Sequence, residues 1–247
     1  MKVSVIQMNM RSLESKANFD RAEALVRRAV GENGPDVVVL PETWNTGFMP
    51  AGDLAAACDE NAKTVRARFS PLARELNVNI VAGSVSNNRG GHIYNTACVF
   101  DRAGACISEY DKTHPFTPMG EHKVYTPGDH LVTFTLDSVR CGLLICYEVR
   151  FPELWRTLAL RGAQVMFLPA QWTAAVSVSQ WYWRCAVRRS CSCPPSGRRR
   201  ANTTGRRSPP PARSKTSSLS SRATPAASAT ARCMAVFRAS STRWARS

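Results

Sequence analysis

The chain has 247 residues, a formal net charge of +15 and nine cysteines. The charge is unevenly distributed: residues 1–183 carry 18 basic and 18 acidic side chains, whereas residues 184–247 carry 15 basic side chains and no acidic one. The neutral stretch is long enough to bury a large apolar core, and no run of 18 apolar residues is present that could cross a membrane. The positive charge is therefore a property of the last quarter of the chain, where it suggests a partner such as nucleic acid or a membrane.

The N-terminus and the cysteines indicate a reducing cytoplasm. The first apolar run is short and is interrupted by Ser4 and Gln7, so it does not resemble a signal peptide. The cysteines of the neutral part show no metal-ligand spacing, and Cys191 and Cys193 are too close together for the usual zinc-binding CxxC pair. We therefore expect free thiols and no bound metal.

Short apolar runs alternate with helical patterns along the neutral part. The patterns predict, in chain order, a strand over 2–8, a helix over 12–30, a strand over 36–40, a helix over 62–76, a strand over 79–84, a hairpin of strands over 94–100 and 105–110, a second pair over 131–136 and 140–146, a helix over 152–161 and a strand over 164–168. In the first helix we expect Leu13, Ala17, Ala24, Leu25 and Ala29 to form the packed side. This alternation predicts a layered α/β domain.

Three reactive side chains lie where predicted strands end. Glu42 follows the buried strand over 36–40, Lys112 follows the strand that ends near Tyr110, and Cys146 ends an apolar run directly before a helix. The carboxyl ends of strands are the usual ligand site of an open α/β sheet. A helix N-terminus and a nearby lysine would both favour the thiolate form of Cys146. Together the three residue types supply a nucleophile, a general base and an oxyanion stabiliser for acyl transfer.

Each residue taken singly also has an ordinary structural interpretation. A cysteine after an apolar run is usually an inert buried thiol. A glutamate after a strand is often a helix cap or an ion-pair partner, and a loop lysine is usually solvated. The surrounding sequence, rather than any single residue, therefore has to distinguish a catalytic site from a set of structural positions.

The surrounding strings resemble the nitrilase superfamily of carbon–nitrogen hydrolases. The resemblance runs in order through nearly all of residues 1–183. It lies in Leu-Pro-Glu-Thr-Trp-Asn-Thr-Gly-Phe at 40–48, Tyr-Asp-Lys-Thr-His-Pro-Phe at 110–116, Gly-Glu-His at 120–122 with Pro-Gly at 127–128, Gly-Leu-Leu-Ile-Cys-Tyr-Glu-Val-Arg-Phe-Pro-Glu at 142–153 and Pro-Ala-Gln-Trp at 169–172. It implies a four-layer α-β-β-α sandwich, no cofactor, and assembly as homodimers or larger homo-oligomers.

The resemblance also implies roles for individual residues. Cys146 would attack an amide or nitrile carbon to form a thioester. Glu42 would take the thiol proton, pass it to the leaving ammonia and then activate water. Lys112 and the backbone N–H of Tyr147 would hold the oxyanion, and Glu121 matches the second glutamate, which orients Lys112 or the substrate.

The strings around Cys146 and Glu121 are most similar to the ω-amidase and 2-oxoglutaramate amidase branch, which implies a small carboxylated amide and water as substrates. Arg150 would then bind the carboxylate, although a structural ion pair is the more common use of such an arginine. Trp172 is a further candidate substrate contact. Another branch, an N-carbamoyl amide hydrolase or a nitrilase, remains an alternative.

The resemblance stops near Arg188, which predicts a hydrolase domain over 1–188 and a disordered basic tail over 189–247. Read in a shifted frame, the codons of 189–193 permit Ala-Ile-x-Gln-Leu and those of 220–225 permit Phe-Ala-Gly-His-Ser. Both match segments that the family has in this order. We therefore predict that the tail is read out of frame, and that this chain is poorly soluble and weakly active or inactive. The alternative is a protein whose tail binds nucleic acid through its phosphates; an out-of-frame tail would do so only non-specifically.

Overall fold

The computed structural model describes residues 1–171 and 235–238. These residues belong to one compact unit. Its strands are β1 Val3–Val5, β2 Val37–Val39, β3 Asp59–Glu60, β4 Asn79–Val81, β5 Val85–Arg89, β6 His92–Phe100, β7 Cys106–Asp111, β8 Thr133–Leu136, β9 Val139–Leu143, β10 Val165–Leu168 and β11 Ala235–Arg238. Its α-helices are α1 Ser15–Asn33, α2 Leu54–Ala57, α3 Lys63–Leu76 and α4 Pro152–Leu160, and 3-10 turns span Thr117–Met119, Glu121–Lys123 and Cys146–Arg150.

Seven of the described strands form the first sheet. Strands β1, β2 and β4 run parallel in that order, and β4 pairs antiparallel with the C-terminal end of β6. The long strand β6 also pairs antiparallel with β5 and β7, and β5 carries the short strand β3 at its edge. All three valines of β2 are buried, as expected of a central parallel strand that is covered on both faces.

The second sheet has the described order β11-β10-β9-β8. Strands β8 and β9 form an antiparallel hairpin around Asp137 and Ser138, as the sequence predicts. Strands β9 and β10 are parallel, and α4 is the crossover between them. The strand end that precedes Cys146 therefore lies in the interior of this sheet.

Helices α1 and α3 cover one face of the first sheet and bury an apolar core that includes Phe19, Phe69, Ile80 and Phe100. The rings of Phe19 and Trp44 meet edge to face, with their centroids 4.6 Å apart. On the second sheet, α4 packs so closely on β9 that a Cβ at Gly142 would come within 3.2 Å of Leu158. The two helix-covered sheets confirm the predicted mixed α/β class.

The packed side of α1 differs from the prediction. Ala24 is exposed, and the buried positions are Asn18, Phe19, Ala22, Val26 and Ala29. Their spacing of three and four residues follows the helix period. Of the predicted set, Ala29 is buried and Leu25 packs against the core, whereas Ala24 was wrong. The prediction also left out Phe19, whose large ring has the most apolar surface to bury. The helix also continues through Gly31 and ends at Gly34, which has a left-handed φ of 51°.

The elements α2, β3 and β5 were not predicted. In β5, Val-Ser-Asn-Asn-Arg, Val85 is the one residue that favours a strand, and the pairing of β5 with β6 supplies the remaining stabilisation. In the described part of the chain, no helix is long and apolar enough to cross a membrane. Of the predicted tail, only the four residues of β11 are described, and they pair antiparallel with β10. The rest of the tail lies outside the described residues.

Candidate active site

The fold brings Glu42, Lys112 and Cys146 together in the interior. Glu42 follows β2 and Lys112 follows β7 in the first sheet, whereas Cys146 follows β9 in the second. Their exposed fractions are only 0%, 1% and 7%. Two charged side chains are rarely buried this completely unless they are paired, so the contacts among them determine what the site can do.

A buried ion-pair network surrounds the amino group of Lys112. Its Nζ lies 2.8 Å from Oε1 of Glu42, and 3.1 and 2.9 Å from Oε1 and Oε2 of Glu121. The backbone N–H of Phe116 also donates to Glu121. The three contacts of Nζ with the two glutamates can occupy all three hydrogens of the ammonium group. Lys112 is thus held between two carboxylates, where it can offer a positive charge to a neighbouring oxyanion.

The network keeps Lys112 charged although it is buried. Burial alone would lower the pKa of Lys112, but the adjacent Glu42, Cys146 and Glu121 raise it well above its ordinary value. Burial raises the pKa of Glu121, an effect that the charge of Lys112 opposes. The cluster therefore contains two acidic groups and one permanent cation, with little water to screen them.

The thiol of Cys146 is held in a tight turn. Cys146 has a left-handed φ of 46°, its N–H donates to the carbonyl of Pro169 at 2.8 Å, and its Sγ lies 3.8 Å from the carbonyl oxygen of Gln171. Burial raises its pKa well above the ordinary value, and the nearby Glu42 adds to this, outweighing the opposite effect of Lys112. The expectation of a favoured thiolate is therefore wrong, because burial and Glu42 outweigh the cation. The thiol needs a base to react.

Two further residues hold Glu42, and the sequence did not single them out. The side-chain nitrogen of Asn95 donates to Oε1 of Glu42 at 3.1 Å and to Oε1 of Glu121 at 3.0 Å. The backbone N–H of Gln171 donates to Oε2 of Glu42 at 3.0 Å. Both oxygens of Glu42 are thereby fixed in place. These contacts span 53 and 129 positions of the chain, so no local sequence signal predicts them.

Glu148 is the third residue that sequence reasoning missed. Its Oε1 accepts hydrogen bonds from the hydroxyl of Tyr110 (2.7 Å), the N–H and hydroxyl of Thr113 (2.8 and 2.7 Å) and the N–H of His114 (3.2 Å). Its Oε2 accepts from the N–H of Ile145 at 2.6 Å. Glu148 thus joins the segment that carries Lys112 to the strand end that carries Cys146. A capping-box search would not find it, because position 145 is not Ser or Thr.

The three remaining predicted residues, Tyr147, Arg150 and Trp172, make fewer contacts in the described part of the chain or lie outside it. The N–H of Tyr147 donates to no acceptor within residues 1–171, which leaves it available to an oxyanion. Arg150 is exposed, lies with its guanidinium carbon 5.7 Å from the centre of the Tyr147 ring, and forms no ion pair with the described residues. A structural ion pair would need a carboxylate partner, and Arg150 has none in that part of the chain. Trp172 lies outside the described residues.

No cluster of three or more His, Cys, Asp or Glu side chains that could hold a metal ion is found among the described residues. The cluster described above places a thiol, a carboxylate that can accept its proton and an ammonium group within one buried site.

Comparison with known proteins identifies the family. The family model described as carbon-nitrogen hydrolase matches residues 2–190. The 2-oxoglutaramate amidase of Bacillus subtilis (strain 168) is 35% identical, over 69% of this chain and 64% of that protein. The human omega-amidase NIT2 is 31% identical, over 73% of this chain and 67% of its own length.

A solved structure agrees with this comparison. The crystal structure of Saccharomyces cerevisiae Nit3, a member of branch 10 of the nitrilase superfamily, has a TM-score of 0.67 and 28% identity, covering 76% of this chain and 70% of that one. The chain spans less than two thirds of the length of the Bacillus relative. The family model nevertheless matches most of the chain, and the chain belongs to the carbon-nitrogen hydrolase family.

Proposed function

We propose that this protein hydrolyses the C–N bond of a small amide through a thioester on Cys146. The observation that carries the proposal is the buried cluster of Cys146, Glu42 and Lys112, in which the thiol lies beside the side chain of Glu42. A buried thiol with a raised pKa is inert on its own. The adjacent carboxylate changes this, because it can remove the proton as the nucleophile attacks.

In the acylation half-reaction, Glu42 accepts the proton of Cys146 while Sγ forms a bond to the amide carbon. The carbonyl electron pair moves to oxygen, and the resulting oxyanion lies against Lys112 and the N–H of Tyr147. The electron pair then returns, the C–N bond breaks, and the leaving nitrogen takes the proton from Glu42. The products of this half-reaction are ammonia and the thioester.

In the deacylation half-reaction, a water molecule transfers a proton to Glu42 and attacks the thioester carbon. The second oxyanion uses the same two stabilising groups. Its collapse breaks the C–S bond, and the departing sulfur recovers the proton from Glu42. Amide and water are thereby converted to carboxylic acid and ammonia, and the enzyme returns to its starting protonation state.

We propose that the substrate carries a carboxylate at the end remote from the amide. The support is the names of two relatives, a 2-oxoglutaramate amidase and an omega-amidase. Within this chain, Arg150 offers an exposed guanidinium beside Tyr147, the neighbour of the nucleophile. Trp172 is proposed as a further substrate contact. An N-carbamoyl amide or a nitrile is the alternative substrate class.

The test is ammonia release from a panel of 2-oxoglutaramate, an uncharged amide of the same length, an N-carbamoyl amino acid and a nitrile. We expect turnover of the carboxylated amide, its loss in Cys146→Ala, and its retention in Cys106→Ala, a control at an exposed cysteine. Turnover that survives in Cys146→Ala would refute the mechanism. Preference for the N-carbamoyl or nitrile substrate would refute the substrate assignment alone.

We propose that residues 189–247 are encoded out of frame. The family model ends at residue 190, close to the predicted boundary. Resequencing of the locus tests this, and an uninterrupted reading frame on independent DNA would refute it. The panel is therefore run on the chain itself and on a frame-restored version, of which we expect the second to be more soluble and more active.

Two proposals about partners accompany this function. Salt-sensitive binding of DNA or RNA that is lost on removal of residues 184–247 and discriminates between sequences would favour the competing nucleic-acid-binding function. We expect only weak, non-specific binding, as any strongly basic segment shows. We also propose a homo-oligomer, on the family resemblance, and light scattering of the purified protein measures its mass.

A further inference from the structure

Four polar atoms form a closed ring at the centre of the cluster. Oε1 of Glu42 and Oε1 of Glu121 each accept hydrogen bonds from Nζ of Lys112, at 2.8 and 3.1 Å. The same two oxygens accept from the side-chain nitrogen of Asn95, at 3.1 and 3.0 Å. Donors and acceptors therefore alternate around the ring. Lys112 closes it on one side and Asn95, which is neutral, closes it on the other.

The two carboxylates fix the orientation of the Asn95 amide. A rotated amide would place its oxygen against two carboxylate oxygens, whereas the present orientation uses both hydrogens of the amide nitrogen. The side chain is 1% exposed, and its own oxygen accepts no hydrogen bond within the described residues. The contacts to the carboxylates thus hold the amide although they leave its oxygen unpaired in this part of the chain.

The charges of the ring are unbalanced. Two carboxylates share one ammonium group, and all three side chains are at most 1% exposed. When Lys112 directs a hydrogen to an oxyanion, one of its contacts to Glu42 or Glu121 has to weaken. In the proposed mechanism the N–H groups of Asn95 transfer no proton, so they can remain on both carboxylates throughout.

We propose that Asn95 is a positioning residue that keeps the Glu42 carboxylate deprotonated and correctly oriented while Lys112 turns to the oxyanion. The proposal rests on the proposed function, since it assumes that Glu42 is the base for Cys146. Without Asn95, the carboxylate pair takes up a proton at higher pH, because a buried anion that loses a hydrogen-bond donor favours its neutral form. A protonated Glu42 cannot accept the proton of Cys146.

A side-chain substitution isolates this role from the backbone role of the same residue. The carbonyl oxygen of Asn95 accepts the backbone N–H of Lys112 at 3.0 Å, and that bond is retained in any side-chain variant. Asn87 provides a matched control. It is equally buried on the neighbouring strand β5, and its amide contacts Thr96 and the N–H of Ala62 instead of the cluster.

The test is the rate at which iodoacetamide alkylates Cys146 between pH 5 and 9, measured on the intact chain by peptide mass spectrometry. In Asn95→Ala we expect a rate about 10-fold below the unsubstituted protein at pH 6, which corresponds to the loss of one charge-assisted hydrogen bond. The difference should close toward pH 9. Asn95→Asp, which adds a third negative charge, should shift the profile further, and Asn87→Ala should follow the unsubstituted profile.

The outcomes separate the two proposals. Profiles of Asn95→Ala and the unsubstituted protein that superimpose would overturn the positioning role, as would a uniform loss of rate that high pH does not restore. If Glu42→Gln leaves alkylation unchanged, the assumption that Glu42 is the base fails and the positioning role fails with it. If Asn95→Ala changes the pH profile of Cys146 alkylation as expected but no amide is turned over, the result would support the positioning role and count against the proposed hydrolysis.

Turnover, where it is measured, gives a second readout: kcat should fall in Asn95→Ala while KM stays within about twofold, since Asn95 is not assigned a substrate contact. Asn95→Ser, which keeps one donor, replaces the alanine variant if that variant does not yield folded protein. It should show the same pH-dependent loss to a smaller extent, and an unchanged profile would again overturn the proposal.

Discussion

Replacing Glu148 by glutamine tests whether its carboxylate joins the two halves of the active site. The substitution conserves the shape of the side chain but removes the charge and turns one oxygen into an NH₂ group. In the structure that carboxylate is fully buried and accepts five hydrogen bonds, four on Oε1 and one on Oε2. A glutamine can keep the four on its oxygen. Its nitrogen would then face the N–H of Ile145, which is also a donor.

The expected cost follows from this inventory. A buried donor left without a partner costs about 1–3 kcal/mol, and a hydrogen bond to a neutral acceptor is worth roughly half of one to a charged acceptor. Allowing for one orphaned N–H and for weaker bonds from the remaining donors, we expect Glu148→Gln to lower the free energy of unfolding by about 3–5 kcal/mol. For a chain of this size that corresponds to a Tm lower by roughly 6–20 °C.

The assay is thermal unfolding of the two proteins between pH 3 and 8. Burial alone would raise the pKa of Glu148, but its hydrogen bonds to His114, Thr113, Ile145 and Tyr110 hold it below the ordinary value. A pKa lowered in the folded state contributes stability above the unfolded value of about 4.3, and that contribution is lost as the pH falls through the folded pKa. The difference in Tm should therefore shrink below about pH 4. It should also decrease as the pH rises above about 6.5, because the hydrogen bond to Glu148 raises the pKa of His114, and the stability from that pair is lost as His114 deprotonates.

The control is Glu153→Gln, which removes an exposed carboxylate five residues along the chain and should change the free energy of unfolding by less than about 1 kcal/mol. The reasoning would be refuted if Glu148→Gln changed the free energy of unfolding as little as Glu153→Gln does. The same holds for a difference in Tm that grows as the pH falls from 5 to 3, because it would mean that the buried carboxylate destabilises the folded state.

Two further predictions concern the support of the Glu42 strand end, each measured as a change in Tm. Gly83 and Gly90 have nearly equal left-handed φ angles of 59° and 60°, but a Cβ at Gly83 would lie 2.0 Å from the carbonyl oxygen of Pro41, whereas at Gly90 it would meet nothing within 4 Å. We expect Gly83→Ala to cost about 2–4 kcal/mol and Gly90→Ala about 1 kcal/mol, and equal costs would contradict this. Trp44→Phe removes the 2.7 Å hydrogen bond from the indole N–H to the carbonyl of Ala82 and should cost about 2–3 kcal/mol; a neutral result would show that the bond contributes no net stability.

The reactive residues could be predicted because each follows an apolar strand within a recognisable string. The fold brings Glu42, Lys112, Glu121 and Cys146 together, and their catalytic roles are part of the proposed function. Asn95 could not be found in this way. It lies within β6, where its side chain has the same local sequence signature as that of any other polar strand residue, and only the packing of the sheets shows that it reaches the carboxylates.

The protonation state of Cys146 could not be predicted either. From the sequence, a helix start and a lysine both favour the thiolate. The burial of the sulfur and the position of the Glu42 carboxylate decide the opposite outcome, and both depend on tertiary packing. The same limit applies to α1, where periodicity predicts a helix but the identity of the buried side depends on where Phe19 fits against Trp44.

The distribution of the site over two sheets has a consequence for the newly made chain. Glu42, Asn95 and Lys112 all belong to the first sheet, which is complete once about the first 112 residues have been synthesised. Cys146 arrives later, on the second sheet. Under the proposed function, the thiol of Cys146 has Glu42 beside it as a base only after the second sheet has docked against the first. Docking of the two sheets would then also complete the active site, and the rate at which iodoacetamide labels Cys146 would report how much of the chain has completed that step.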